Sequence, residues 1–359
     1  MPAKTIVVRL ALLFLPLALW QAVELFVLPI DYFTFRFWEA LATNKVYLLP
    51  GPFYPNFYLE KYSAGDHVFR GPRKKLVRFQ SDEYGQRNPP DTKETYEIVI
   101  VGDSNIVGSH IDEPDTIRAR LESRCNCRVY AYGSGLPGNI LSFLADERFV
   151  KHPPPYVVFE FRTGDVEQGD LPVYRPCGAS AFPNRTLAAR LCDSVDTKLL
   201  HVLTALGLQQ HEAILIYLDR LYKQPAYHFL HSQLRLTATI HLAGPAFPFE
   251  PARIERSMEA LRSYRAALHE RGSKLILFAM PKYIDNKRSF SPWLSQAREE
   301  SFDVISIDPS SVPPEILSSW WMKEDSHWRE QSIEFAAGLI WKEISALAEK
   351  PGQLPTAMQ

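Results

Sequence analysis

The stretch Tyr96 to Gly108, read Tyr-Glu-Ile-Val-Ile-Val-Gly-Asp-Ser-Asn-Ile-Val-Gly, constrains this chain more than any other. Ile98 to Val101 are β-branched throughout, with charge before them and glycine after, the pattern of a parallel strand buried on both faces. Gly102 permits a sharp turn, and the polar residues after it fall where α/β sheets hold ligands, at the carboxyl end of a strand. Ser104 is therefore a candidate nucleophile. The plainer reading is that Asp103 or Ser104 only caps the next helix, because both types accept hydrogen bonds from free N–H groups at helix starts.

Around that strand the sequence keeps an alternating rhythm. A helix is expected over Pro114 to Arg124, with Asp112 or Asp115 near its start, then a strand over Arg128 to Tyr132. A glycine-rich loop from Gly133 to Asn139, a helix from Ile140 to Phe149 and a third strand over Tyr156 to Phe161 follow. From Leu171 to Pro251 the strand rhythm is lost, and Thr186 to Leu208 and Ala213 to Leu221 read as helices of an insertion. The rhythm resumes with a helix from Pro251 to Arg271, strands over Lys274 to Met280 and Asp303 to Asp308, and a closing helix from Arg329 to Glu349. That last helix carries Ile333, Phe335, Ala336, Leu339, Ile340 and Ile344 on one stripe. The alternation predicts an α/β chain with a doubly wound sheet and a helical insertion over 171–251. The expected organisation is an anchor over 1–30, an aromatic-rich membrane-proximal segment and linker over 31–95, the α/β domain over 96–349 and a tail over 350–359.

At 359 residues and 46% hydrophobic, the chain can bury one large core with an insertion, or two modest ones. A formal net charge of −1 leaves no electrostatic footprint for nucleic acid, so no nucleic-acid partner is expected. The basic cluster Arg70, Arg73, Lys74, Lys75 and Arg78 is short and reads as a solvated loop or a membrane-adjacent patch. At the N-terminus, Lys4 and Arg9 precede an apolar run from Leu10 to Trp20, and the apolar character continues to Ile30. No Ala-x-Ala cleavage pattern follows Trp20, and the stretch reaches the roughly twenty residues a bilayer requires, so an uncleaved transmembrane signal-anchor is expected. Positive charge before the span predicts a single-pass protein with a cytoplasmic N-terminus and its bulk extracytoplasmic, periplasmic in a bacterium. In that oxidising space Cys125, Cys127, Cys177 and Cys192 are disulfide candidates. Cys125 with Cys127 would close a very tight ring, which makes Cys177 with Cys192 the expected pair. The spacing is poor for zinc, and neither a metal nor a cofactor is expected.

Near the other end of the chain, Glu324-Asp325-Ser326-His327-Trp328 precedes the closing helix, and a serine with a base and an acid makes a triad. His327 is the candidate base, Asp325 its orienting carboxylate and Glu324 the reserve acid. Gly102-Asp103-Ser104 after the first strand, with Asp325-x-His327 before the last helix, resembles the SGNH (GDSL-type) hydrolases over Tyr96 to Glu349. The resemblance implies a flavodoxin-like sheet of about five parallel strands and hydrolysis or transfer of an ester. It also implies an oxyanion hole made by the backbone N–H of Ser104 and that of a glycine after the second strand, Gly135 in preference to Gly133. The Asp-x-His-Trp form is similar as well to the polysaccharide O-acetyltransferase and esterase branch that includes the alginate acetylation proteins, although there the Asp-His motif precedes the serine.

One departure stands out. Where the family places an oxyanion-binding Asn after the third strand, this chain reads Arg162-Thr163-Gly164-Asp165, leaving Thr163 or Asn105 as candidate substitutes. The expected function is a membrane-anchored extracytoplasmic serine ester hydrolase or O-acyltransferase acting on acetyl groups of a cell-surface polysaccharide. Its substrate would be a carbohydrate or another acyl ester, and its candidate partners envelope or polysaccharide-export proteins. The alternative is a catalytically impaired SGNH-like domain that binds glycan or serves as a scaffold subunit.

Overall fold

A computed structural model describes residues 3–30, 36–43, 51–66, 68, 75–133, 139–167, 169, 171–174, 214, 225–230, 250–280, 292–307, 312–322, 325 and 327–349. The chain begins with helices α1 (Ala3–Phe26) and α2 (Phe37–Ala42) and an antiparallel hairpin of β1 (Tyr58–Ser63) and β2 (Lys75–Gln80). Then come β3 (Ile98–Gly102), α3 (Ser104–Val107), α4 (Ile117–Cys125), β4 (Val129–Gly133), α5 (Asn139–Ala145), α6 (Glu147–Lys151), β5 (Tyr156–Arg162) and α7 (Thr163–Glu167). The remainder is α8 (Pro251–His269), β6 (Lys274–Met280), α9 (Pro292–Glu299), β7 (Asp303–Ser306), α10 (Pro314–Leu317) and α11 (Glu330–Ala348).

Strands β3 to β7 make one parallel sheet in the order β4-β3-β5-β6-β7, so the chain reverses direction across the sheet beside β3. Alternation of side chains along each strand fills two separate cores. Val99 and Val101 point to the face covered by α5, α8 and α9, with Leu261, Tyr264 and Trp293. Ile98 and Ile100 point to the face covered by α4 and α11, with Leu121, Ile333 and Ile340. All four residues Ile98 to Val101 are 0% exposed, which is why this strand reads as an unbroken apolar run. The α11 stripe expected from the sequence divides at its rim: Ile333, Ala336, Ile340 and Ile344 are buried, while Phe335 and Leu339 are partly buried against the same core.

Several boundaries differ from the expectation. Helix α4 begins at Ile117, later than Pro114, because Glu113–Asp115 forms a separate 3-10 turn ahead of it and Thr116 caps the helix, its hydroxyl accepting from Ala119 N. Asp112 pairs with Arg78. The helix expected from Ile140 to Phe149 breaks at Asp146, whose side chain caps α6 by accepting from Arg148 N. The helices expected over Thr186 to Leu208 and Ala213 to Leu221 lie outside the described residues, apart from residue 214. Of the basic cluster, Lys75 pairs with Glu330 and Arg78 with Asp112; Arg70, Arg73 and Lys74 lie outside the described residues.

Cys125 and Cys127 form a disulfide, which the sequence reading disfavoured. Asn126 between them is in the left-handed region with φ 51°, turning the chain sharply enough to bring the two Cα atoms to 5.0 Å. Cys177 and Cys192 lie outside the described residues. In α1 the described side chains from Leu12 onward are mostly exposed, Leu12 by 63% and Phe26 by 84%. Among the described residues no helix is long and apolar enough to cross a membrane.

Residues 82–88, part of the segment and linker expected over 31–95, are largely buried instead, and the reason is the edge of the sheet. Among the described residues β4 has no strand on its outer side, so its polar backbone must be satisfied in another way. Asn88 takes the place of a strand: its Oδ1 accepts from Ala131 N at 2.9 Å and its Nδ2 donates to Ala131 O at 3.0 Å. Gln86 Oε1 accepts from Gly133 N at 3.1 Å, and Tyr130 OH donates to Asp82 Oδ2 at 2.6 Å. Asn88→Ala should leave one buried N–H and one buried C=O without partners and destabilise the fold by about 2–4 kcal/mol, read as a lowered denaturant midpoint.

Candidate active site

The buried run of β3 ends at Gly102 because nothing larger fits there: an added Cβ would lie 2.3 Å from Ile106 Cγ1 and 2.5 Å from Glu160 Oε2. Asp103 then caps α3, its Oδ1 accepting from Asn105 N at 2.7 Å and from Asn105 Nδ2 at 3.0 Å. The capping role is thus real, and it falls to Asp103, which leaves the hydroxyl of Ser104 to face elsewhere. As the first residue of a helix, Ser104 has a backbone N–H with no intrahelical acceptor. Arg87 holds the far end of α3, donating to the carbonyls of Val107 at 3.0 Å, Gly108 at 2.5 Å and Ile111 at 2.7 Å.

The second half of the site comes from the turn before α11. Met322 N donates to His327 O at 2.9 Å and Asp325 N to Met322 O at 3.0 Å, while Trp321 and Trp328 bridge antiparallel across the base of the turn. Trp328 is packed edge-on against Phe278 and Trp320. In this turn Asp325 Oδ1 lies 2.6 Å from His327 Nδ1 and also accepts from His327 N at 3.2 Å. The other ring nitrogen, Nε2, lies 2.9 Å from Ser104 Oγ. Ser104 is half-buried, whereas His327 and Asp325 are buried. Burial of the ring opposes its charged form, but Asp325, and after it Asp66 and Asp103, outweigh that and push His327 up to about 9.

Sequence reasoning missed several neighbours. Asp66 and Ser63 come from the end of β1 and the loop after it, with Asp66 Oδ2 3.9 Å from His327 Nδ1 and Ser63 Oγ 2.8 Å from His110 Nδ1. Burial, then the charge of Lys75, depresses His110 to about 4, so its ring is neutral. Asn139 Nδ2 donates to Gly102 O at 2.6 Å, fixing the last turn of β3 from α5. Under that turn sits Glu160, a charged residue type in the middle of a central strand, its Oε2 accepting from Asp103 N at 2.9 Å. A lone acid between Phe159 and Phe161 was the one signal the sequence offered for this group.

The oxyanion candidates separate. Gly133 N–H is already donated to Gln86, so Gly133 has no donor to offer. Gly135 and Glu324 lie outside the described residues. Asn105 is engaged at both ends of its amide, donating to Asp103 Oδ1 and accepting from Trp328 N at 3.2 Å. Thr163 and Gly164 open α7, and Asp165 turns back to pair with Arg162 at 2.9 Å. Among the described residues no group of three or more His, Cys, Asp or Glu could hold a metal ion.

No protein-family profile matches the chain, and no curated protein matches it. Of the solved structures, the YXIM protein of Bacillus subtilis is similar at 12% identity and a TM-score of 0.35, over 79% of this chain and 64% of that one, so this chain spans less than two thirds of its length. A second crystal structure is similar at 12% identity and a TM-score of 0.30, over 71% of this chain and 98% of its own. Likeness at this level carries no argument about what the chain does.

Burial, and after it the nearby charge of Asp103, holds the Glu160 carboxyl well above the usual carboxylate range, and its Oε1 has no hydrogen-bond partner among the described residues. The folded chain therefore keeps a proton that the unfolded chain has released, and stability falls as pH rises above the unfolded value of about 4.3. Glu160→Gln carries no titrating proton. Its stability relative to wild type should grow with pH by up to about 1.4 kcal/mol per unit above that value. Denaturant midpoints of both proteins at pH 5 and pH 7 check this, and a constant difference would refute it.

Proposed function

We propose that the chain is an SGNH-type serine ester hydrolase or O-acyltransferase acting outside the cytoplasm. The observation that carries this is the continuous line from Ser104 Oγ through His327 to Asp325, at 2.9 and 2.6 Å. A serine hydroxyl attacks a carbonyl only when its proton is accepted as the new bond forms. Nε2 of His327 takes that proton, and Asp325 holds Nδ1–H and stabilises the imidazolium. Ser104 Oγ bonds to the ester carbon, and the negative charge on the former carbonyl oxygen is met by the N–H of Ser104, with Gly135 as the expected second donor. Collapse expels the alcohol, which takes the proton back from His327, and leaves an acyl-serine. Water then completes hydrolysis, or the hydroxyl of an acceptor sugar completes transfer.

Acetyl esters of a cell-surface polysaccharide are the substrate class we infer, on the resemblance of Asp325-x-His327-Trp328 to the O-acetyltransferase branch. The extracytoplasmic setting is supported by the Cys125 to Cys127 disulfide, a bond that persists in oxidising compartments. A membrane attachment with the N-terminus in the cytoplasm is inferred from the sequence alone, from Lys4 and Arg9 ahead of the apolar run Leu10 to Trp20. Envelope or polysaccharide-export proteins are the partners this location suggests. Ser104→Ala and His327→Ala should each lower turnover of p-nitrophenyl acetate by roughly a thousandfold or more without loss of the fold. Wild-type turnover should rise with pH toward the His327 value of about 9, because only the neutral ring accepts a proton. Near-normal rates in Ser104→Ala would refute the assignment.

The second reading is an impaired domain that binds glycan or scaffolds an envelope assembly, and the Gly164 position favours it. A missing oxyanion donor removes roughly a hundred- to a thousandfold in rate. Gly164→Asn should restore part of that factor if Ser104 is activated. No labelling of Ser104 by a fluorophosphonate, together with no gain in Gly164→Asn, would replace the enzyme reading with the binding one.

A further inference from the structure

The loop that follows β1 presses a second carboxylate against the base. Gly65, at φ +134°, makes this approach: a Cβ there would lie 3.0 Å from Asp325 Oδ2 and 2.6 Å from Val68 Cγ2. The loop is fixed on both sides. Ser63 Oγ accepts from Gly65 N at 3.3 Å and meets His110 Nδ1 at 2.8 Å, and Asp66 O accepts from Arg36 N at 2.9 Å. Asp66 itself is 0% exposed, with Oδ2 3.9 Å from His327 Nδ1.

We propose that Asp66 is a positioning residue for the base, a second buried carboxylate that acts with Asp325 to stabilise the imidazolium of His327. At 3.9 Å it makes no hydrogen bond to the ring, and the Nδ1–H is already given to Asp325. Its action is electrostatic, and in a buried site the attraction between opposite charges at this distance is screened far less than in water. Among the described residues, the other charged groups facing His327 are Asp325 and Asp103, with His110 neutral and the Lys75 to Glu330 ion pair beyond it. Asp325 therefore fixes the tautomer, and Asp66 adds to the proton affinity.

This rests on the reading of His327 as the base, so the test observes His327 directly as well as turnover. The ring of His327 is titrated by NMR in the full-length protein, its signal assigned from the spectrum of His327→Ala. Asp66→Asn should lower the proton affinity of His327 by about tenfold or more. The acid limb of p-nitrophenyl acetate turnover should move to lower pH by the same amount. A folded Asp66→Asn protein in which His327 titrates as in wild type would overturn the proposal. Should Asp66→Asn not fold, the wild-type carboxyl signal of Asp66 decides: it must report an ionised group that responds as His327 titrates, and a protonated or unresponsive Asp66 overturns the proposal. A shifted His327 titration in a protein that turns over no ester would keep this role for Asp66 and remove the esterase reading instead.

Discussion

Ser104 and His327 are 223 residues apart, and everything that the site can do depends on the parts that hold them within hydrogen-bond reach. The bond between Trp328 N and Asn105 Oδ1 joins the two turns directly, one residue beyond each of Ser104 and His327. Behind it, α4 and α11 share the core on one face of the sheet, with Leu121 from the first helix and Ile333 and Ile340 from the second. Ser104 and His327 therefore come into register only when that core is packed. Such long-range closure is slow and cooperative in folding terms, because much chain entropy is lost before the contacts form.

What was legible in the sequence follows from how each element is buried. β3 was plain because both of its faces are covered, so its apolar run is continuous, and α11 was plain because one of its faces is not, so its pattern is periodic. The Asp325-x-His327 spacing was legible because a two-residue step inside a tight turn brings carboxylate and ring together locally. Asp66, Ser63 and Asn88 were not legible, since each is a polar residue in a loop or at a strand end whose partner lies far along the chain. Periodicity reports which face of an element is covered and says nothing about side chains that act from irregular segments. The disulfide was misjudged for a related reason: ring size argued against Cys125 with Cys127, and the left-handed Asn126 that permits it is a property of the backbone.

The nucleophile turn also illustrates how a protein divides labour among groups that look alike. Asp103 and Glu160 are both acids beside Ser104, yet Asp103 caps the helix from the half-exposed side and Glu160 supports the same turn from beneath, fully enclosed. Asn105 and Asn139 are both amides at this turn, one joining it to Trp328 and the other fixing Gly102 O. With four polar side chains committed to geometry, Ser104 alone keeps its hydroxyl for the imidazole. On the proposed reading of Ser104 as a nucleophile, such an ordered setting keeps the entropy lost on reaction small.

The hydrogen bond from Arg36 N to Asp66 O gives the region ahead of the sheet a standing it would not have as a tether. Through that bond, the backbone at the start of α2 bears on the loop that faces His327. A protein trimmed to its parallel sheet would keep both cores and the triad, yet lose Ser63, Asp66 and the side chains that seal β4. The boundary of the smallest working unit therefore lies upstream of the sheet, at or before Arg36. A force or partner that displaces the segment between α1 and β1 therefore bears, through Asp66, on the surroundings of His327.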